Sequence, residues 1–221
     1  GAEDVESSKA VVVENTIPVP EPAPPLTAEE RGLPEPLKQA ERTKPPAISD
    51  PELCADCHPA AVEGYLQTGM GQSLYRPTEG KKIENFSRRA ATIKDKETGL
   101  YYRASVDKEG RYWQEEFLPA AAYSRKVEAT HIIGSGNHTR SYMGMVDGEL
   151  VQMPLTWYSR KKIWDLSPGY ETNNLRFTRA VRPKCLFCHN DQTSYQIGAI
   201  ANYTAPLAEG ISCTRCHGDP T

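Results

Sequence analysis

The chain has 221 residues, 38% of them hydrophobic and 25% charged, with a formal net charge of −3. This length suits one domain with extras or two small domains, the apolar share is low for a self-sufficient core, and the total charge gives no reason to expect nucleic acid as a partner. The longest apolar runs, such as "AVVV" at 10–13, fall far short of the roughly 18 residues of a membrane span, so no transmembrane segment is expected.

The charge is uneven along the chain. Residues 1–50 hold ten acids and five bases, whereas residues 51–221 hold 19 acids and 21 bases. The first 50 residues also carry half of the 18 prolines and no aromatic, Cys, His or Met. The run "PVPEPAPP" at 18–25 favours an extended polyproline conformation, because proline fixes φ and removes a backbone donor. Residues 1–50 are therefore expected to form a Pro-rich acidic arm or linker, acting as a tether or docking along a partner or neighbouring subunit. Thr27 is a candidate helix cap within this arm, in a stretch that Pro34 and Pro36 interrupt. The opening Gly1-Ala2-Glu3-Asp4 shows no signal peptide and is compatible with a processed mature chain.

A compact domain is expected over residues 51–221. "CHPAAVEGYLQTGMGQS" predicts a helix after Cys57-His58, ending near Gly69 or Gly71. "GLYYRASVDKEGRYWQEEF" predicts two strands joined at Asp107-Lys108-Glu109-Gly110. "SYMGMVDGELVQMPLTWYS" predicts a second hairpin turning at Asp147-Gly148. Residues 155–182, with the turn-rich "SPGYETNN", are expected to be irregular, and short helical turns are expected after Cys185. The fold class expected is thus α+β and loop-rich, with short helices around the cysteine motifs, two β-hairpins and an extended N-terminal arm.

The pattern Cys-x-x-Cys-His occurs three times, as "CADCH" at 54–58, "CLFCH" at 185–189 and "CTRCH" at 213–217, and it uses all six cysteines. This is the attachment signature of c-type haem: two thiols add across the porphyrin vinyl groups, and the adjacent imidazole supplies the proximal nitrogen to the iron. Cys54, Cys57 and His58 are assigned to a first haem, Cys185, Cys188 and His189 to a second, and Cys213, Cys216 and His217 to a third. The competing reading is zinc held by the paired thiols of the last two motifs. It leaves Cys54 and Cys57 without a second pair and makes three histidines coincidental. A thioredoxin-like dithiol fits less well, since that motif normally occurs once beside a βαβ unit. Haem also accounts for the modest apolar content, because each porphyrin supplies a large flat apolar surface for the chain to wrap. Arg140, Arg160, Lys161, Lys162 and Arg179 are candidate partners for the haem carboxylates, although such charge runs commonly form solvated faces.

Only His131 and His138 remain outside the motifs, so three irons cannot all carry two histidines from this chain. His138, in "GSGNHTRSY", is a candidate distal ligand on a glycine-rich loop whose backbone can approach a flat group closely. Seven residues earlier, His131 falls on the opposite face of an extended chain, which leaves it to a different haem or to a core hydrogen bond. Met70, flanked by Gly69 and Gly71, is a candidate thioether ligand, the alternative being a flexible core filler. Met143, Met145 and Met153 are expected to pack.

Residues 50–221 resemble the multihaem c-type cytochromes related to the tetrahaem partner of hydroxylamine oxidoreductase, including bacterial forms fused to tetratricopeptide repeats. The resemblance is carried by "CADCHPAAVEGYLQTGMGQS", "IGSGNHTRSYM", "MPLTWYSRKKIWDLSPGYE", "CLFCHN" and "GISCTRCHGD". It implies an exported electron carrier with closely packed haems. In such relatives a ligating His often occupies the place of Met70, and the His of the "GSGNH" element matches His138. The relatives usually continue past the third motif with another His and often another haem site, whereas this chain stops at Thr221 and has no such repeats. The expectation is three covalently attached haems c, with one distal ligand absent or supplied by a partner.

The function expected is electron transfer between donor and acceptor proteins, with the chain an electron carrier more than an enzyme. The alternative is a haem enzyme whose open-coordination iron reduces or oxidises a small nitrogen compound. The arm and the ligand shortfall also suit stable assembly with other subunits or copies, in a redox complex or filament. Because c-type haem is generally attached outside the cytoplasm, a periplasmic or extracellular location is expected, with any membrane association made through a partner.

Overall fold

A computed structural model of the chain describes residues 52–77, 82–190, 200–203 and 207–218. The arm expected over residues 1–50 lies outside the described residues. The strands in chain order are β1 (Leu74–Tyr75), β2 (Thr92–Lys94), β3 (Tyr101–Val106), β4 (Tyr112–Leu118), β5 (Tyr123–Ala129), β6 (His131–Ile133), β7 (Thr139–Val146), β8 (Glu149–Tyr158), β9 (Ile163–Leu166) and β10 (Arg179–Ala180). The helices are α1 (Glu52–Ala55), α2 (Pro59–Leu66), α3 (Pro183–Leu186) and α4 (Thr214–His217).

One sheet has the order β1-β6-β7-β8-β10, with β9 also paired to β8, and the other is the meander β2-β3-β4-β5. All pairings are antiparallel. Side chains alternate along β3 and β4, so Tyr102, Ala104, Tyr112, Gln114 and Glu116 face inward. Of these, Tyr102, Ala104 and Tyr112 meet Tyr142, Met153, Leu155, Trp157 and Trp164 in one apolar core. Phe86 packs edge to face on Tyr112 and obliquely on Trp164, both at 5.3 Å, while Tyr112 stacks on Tyr142 at 6.2 Å.

Both expected hairpins form. Between β3 and β4 the Asp107 carboxylate accepts from the N–H groups of Glu109 (3.1 Å) and Arg111 (2.8 Å) and from Trp113 Nε1 (2.9 Å). Between β7 and β8, Asp147 and Gly148 hold φ of 51° and 82°, the two left-handed positions of a two-residue hairpin turn.

Two carboxylates are buried in this part with charged partners. Glu84 accepts from Arg140 Nη1 (2.9 Å) and the Tyr142 hydroxyl (2.7 Å). Glu116 takes a two-pronged contact from Arg176 and further bonds from the Tyr102 and Tyr123 hydroxyls. Burial works to raise the Glu116 pKa, but the Arg176, Tyr123 and Tyr102 bonds outweigh it and hold the group below its ordinary value.

The fold is mostly β-sheet with a few short helices, roughly consistent with the α+β class expected; among the described residues α2 is the longest helix. Two expectations need correction. Residues 155–182 hold more regular structure than expected among their turns. β8 runs through Tyr158, and β9 pairs with it by register Trp157↔Trp164, because burial of Trp164 between alternating exposed neighbours pays for an edge strand. The helix after the first motif ends at Leu66, before either glycine, and the chain continues through hydrogen-bonded turns to Ser73.

Candidate functional site

Each Cys-x-x-Cys-His stretch is built on a helical turn. The N–H of His58 donates to the Cys54 carbonyl at 2.8 Å, and that of His217 to the Cys213 carbonyl at 3.0 Å. In the second motif the Phe187 and Asn190 N–H groups donate to Pro183 and Leu186, at 2.9 and 2.7 Å. A helical turn aligns residues i, i+3 and i+4, so both thiols and the imidazole of a motif can address one flat group. Pro59 follows His58 directly and Pro183 precedes Cys185 by two residues, both at helix starts, where a missing N–H costs nothing.

The three motifs are tied to one another through backbone carbonyls. The turn after α2 is the centre of this arrangement. Ser73 Oγ lies 2.7 Å from both the Met70 carbonyl and the His189 carbonyl, which joins the first motif's segment to the second motif. The Met70 carbonyl also accepts the Ile211 N–H (3.2 Å), and the Tyr65 hydroxyl donates to the Ile211 carbonyl (2.5 Å), two residues before Cys213. Asn190 Nδ2 donates to the Ala208 carbonyl, and Arg215 Nη2 to the Phe187 carbonyl at 3.0 Å, linking the second motif to the third. Gly210, at φ 61°, crosses so close to Gly71 that a Cβ there would collide with the Gly71 backbone. A smaller core of Leu74, Met143, Leu150, Val181, Leu186 and Leu207 lies under this layer.

The donor set suits covalent haem. Cys54 and Cys213 are half-exposed and the other four cysteines exposed, and none is in a disulfide. Among the described residues no three His, Cys, Asp or Glu side chains gather as a metal-ion site, so the four thiols of the last two motifs are not drawn together as a four-thiolate zinc centre would be. His189 Nδ1 is buried with no hydrogen-bond partner, and burial lowers the imidazole pKa, which favours the neutral, ligating form. Leu66 and Phe187 are exposed beside the motifs, a surface suited to a flat apolar group.

The structure places the remaining ligand candidates differently. Met70 lies on the turn after α2 and is 52% exposed, so it is not a core filler. The "GSGNH" loop lies against this turn: the space over Gly69 is bounded by Ser135 Oγ and Asn137 Nδ2, and the Gly134 N–H donates to the Ser73 carbonyl at 2.7 Å. Met70 and His138 thus sit on neighbouring loops. His138 is exposed, with its Nε2 3.1 Å from Arg160 Nη2. His131 lies on β6, opposite buried Met143, with Nδ1 3.0 Å from Thr130 Oγ1. His131 and His138 do not lie on one extended strand with opposite faces, because Gly134 and Gly136 take φ of 100° and 92° and break the extended chain between them. Met143 and Met153 pack in the interior as expected, whereas Met145 is exposed.

Sequence reasoning missed Tyr65, Ser73, Asn190 and Gly210, whose partners are backbone atoms of distant segments. A signal existed only for Gly210, as a glycine shortly before a motif.

Residues 160–218, which contain the second and third motifs, match the family described as cytochrome c554 and c-prime. No curated protein matches the chain. Among solved structures the chain is similar to the outer cell wall cytochrome OcwA, at 14% identity and a TM-score of 0.45 over 78% of this chain; the chain spans 31% of that protein's length. The family match supports a c-type cytochrome, with covalently bound haem c and a part in electron transport. Among the described residues no helix is long and apolar enough to cross a membrane.

Proposed function

We propose that the chain is a trihaem c-type cytochrome that passes electrons between redox partner proteins outside the cytoplasm. The observation that carries this reading is the linkage of three Cys-x-x-Cys-His turns through Ser73, Tyr65, Asn190 and Arg215. Haem iron held on both faces changes oxidation state with little rearrangement. Cys54 and Cys57, Cys185 and Cys188, and Cys213 and Cys216 would hold the three groups through thioethers, with His58, His189 and His217 as proximal ligands. Met70 and His138 are the proposed distal ligands from this chain, and His131 is a further candidate. A thioether on one iron and an imidazole on another would separate their potentials and give electron flow a direction.

The proposed residue roles then follow from position. Ser73 and the Gly71–Gly210 crossing hold the first attachment turn against the other two, which keeps the centres at fixed separation. The outstanding distal ligand, and the Pro-rich acidic region at residues 1–50, fit a subunit that assembles with other subunits or copies. Optical and electron paramagnetic resonance spectra of the purified protein test the carrier role. Low-spin signals that ignore carbon monoxide and nitrite are expected. A high-spin iron that binds either would replace the carrier by an enzyme acting on a small nitrogen compound.

A further inference from the structure

We propose that a cationic rim beside His138 is the docking site for an acidic face of an electron-transfer partner protein. The proposal rests on the electron-carrier reading. A cavity of about 380 Å³ is lined by Ile83, Glu84, Asn85, Trp157, Ser159 and Lys162. Exposed Lys82, Arg88 and Arg89 belong to one bordering segment, and exposed Arg160, Lys161 and Lys162 to the other. None of the six forms an ion pair among the described residues, whereas Arg103, Arg111, Arg140 and Arg176 each pair with a carboxylate. The one carboxylate lining the cavity, Glu84, is offset by Arg140. Cations therefore outnumber uncompensated carboxylates on these two segments and the adjoining strand, where Asp165 is exposed, in a chain whose net charge is −3.

The second border is also ordered and close to a proposed iron ligand. The Lys161 N–H donates to the Tyr158 carbonyl (3.1 Å) and the Ser159 N–H to the His138 carbonyl (2.9 Å), while Arg160 Nη2 lies 3.1 Å from His138 Nε2. A set of like charges beside a low-dielectric cavity steers an oppositely charged partner and orients it on arrival. Docking here brings the partner to the loop that carries His138.

The test uses the full-length holoprotein and a fluorescein-labelled octaglutamate peptide, read by fluorescence anisotropy at low ionic strength. The combined variant R160E, K161E and K162E is compared with K94E, K108E and K126E, which makes the same charge change on the other sheet and its hairpin. The rim variant is expected to weaken peptide binding roughly tenfold or more, against less than about twofold for the control, with binding lost in high salt. Equal weakening by both variants would leave only a net-charge effect and overturn the proposal. Unchanged peptide binding with a shifted haem potential would also overturn it, assigning these cations to the haem carboxylates. So would binding to phosphatidylglycerol vesicles with no binding to the peptide, which points to a lipid surface. In a second arm, the reduced protein donates one electron per encounter to ferricyanide or to hexaamminecobalt(III), with no bond to carbon made or broken. The rim variant is expected to slow the anionic oxidant and speed the cationic one. If the electron-carrier reading fails, this arm gives no reaction while the peptide arm still reads the rim.

Discussion

The two sheets and the layer that carries the cysteine motifs are held by different means. The sheets enclose a core in which Tyr102, Tyr142, Leu155, Trp157 and Trp164 are all but inaccessible, reinforced by the buried Glu84–Arg140 pair and by buried Glu116 paired with the partly exposed Arg176. In the motif layer α2 buries only Val62, and α3 and α4 are four residues each. Helices this short do not persist on propensity alone. They are held here by a few long-range bonds to backbone carbonyls and, on the proposed function, by thioether bonds to three porphyrins. The difference teaches that the sheets are a scaffold held by side-chain packing, while the motif layer has little packing of its own and, on the proposed function, would depend on its cofactors.

The largest expected effect falls on the scaffold. Removing one partner of a buried ion pair strands the other, at a cost of about 3–5 kcal/mol. Glu84→Ala is therefore expected to lower the thermal midpoint sharply and to unfold sheets and motif layer together, as followed by tyrosine and tryptophan near-ultraviolet dichroism. If the variant lost only haem signals and kept its aromatic signature, the scaffold would not be the independent part.

Gly210→Ala comes next and acts on the motif layer. The added methyl meets the Gly71 backbone in a left-handed position, an overpacking expected to cost about 2–3 kcal/mol. Hydrogen exchange is expected to quicken around α2 and α4 while the strands of both sheets keep their protection. Ser73→Ala should cost less, about 1–2 kcal/mol for the lost bonds to Met70 and His189. Its distinctive readout is the redox titration: the spread between haem potentials should narrow or widen with no change in haem content. A titration identical to the parent's would show that Ser73 does not set the relation between the first two sites.

How much was legible beforehand follows the same division. The motifs announce their chemistry by residue type and spacing alone, and the two hairpins announce themselves through alternation and the Asp107–Gly110 and Asp147-Gly148 turns. β9 was missed because "KKIWDL" offers a single buried side chain, Trp164, and its strand character comes from pairing with β8. The Glu84–Arg140 pair spans 56 residues, and the Tyr65–Ile211 bond spans 146, separations at which no periodicity in the sequence reports a contact. Met70 and His138 were legible as candidates from their flanking glycines; that they lie on adjacent loops came only from the pairing of β1 with β6.

The smallest effect is one of pH. The Glu116 carboxyl is held below its ordinary value, so its contribution to stability is complete above the unfolded-state carboxylate pKa of about 4.3 and is lost as pH falls through the folded value. Acid unfolding of the scaffold is expected to begin below about pH 4.3, and Glu116→Gln should flatten that limb of the curve. An unchanged acid limb in this variant would move the sensitivity to another carboxylate, with Asp95, also lowered and bonded to Thr98 and Asn174, the next to examine.

The most direct test of covalent haem at all three motifs is the intact mass of the purified native chain under denaturing conditions, followed by proteolytic mapping. Three haem increments are predicted, one each on the peptides containing Cys54 and Cys57, Cys185 and Cys188, and Cys213 and Cys216. An unmodified polypeptide mass, with zinc in place of iron in the native protein, would contradict it.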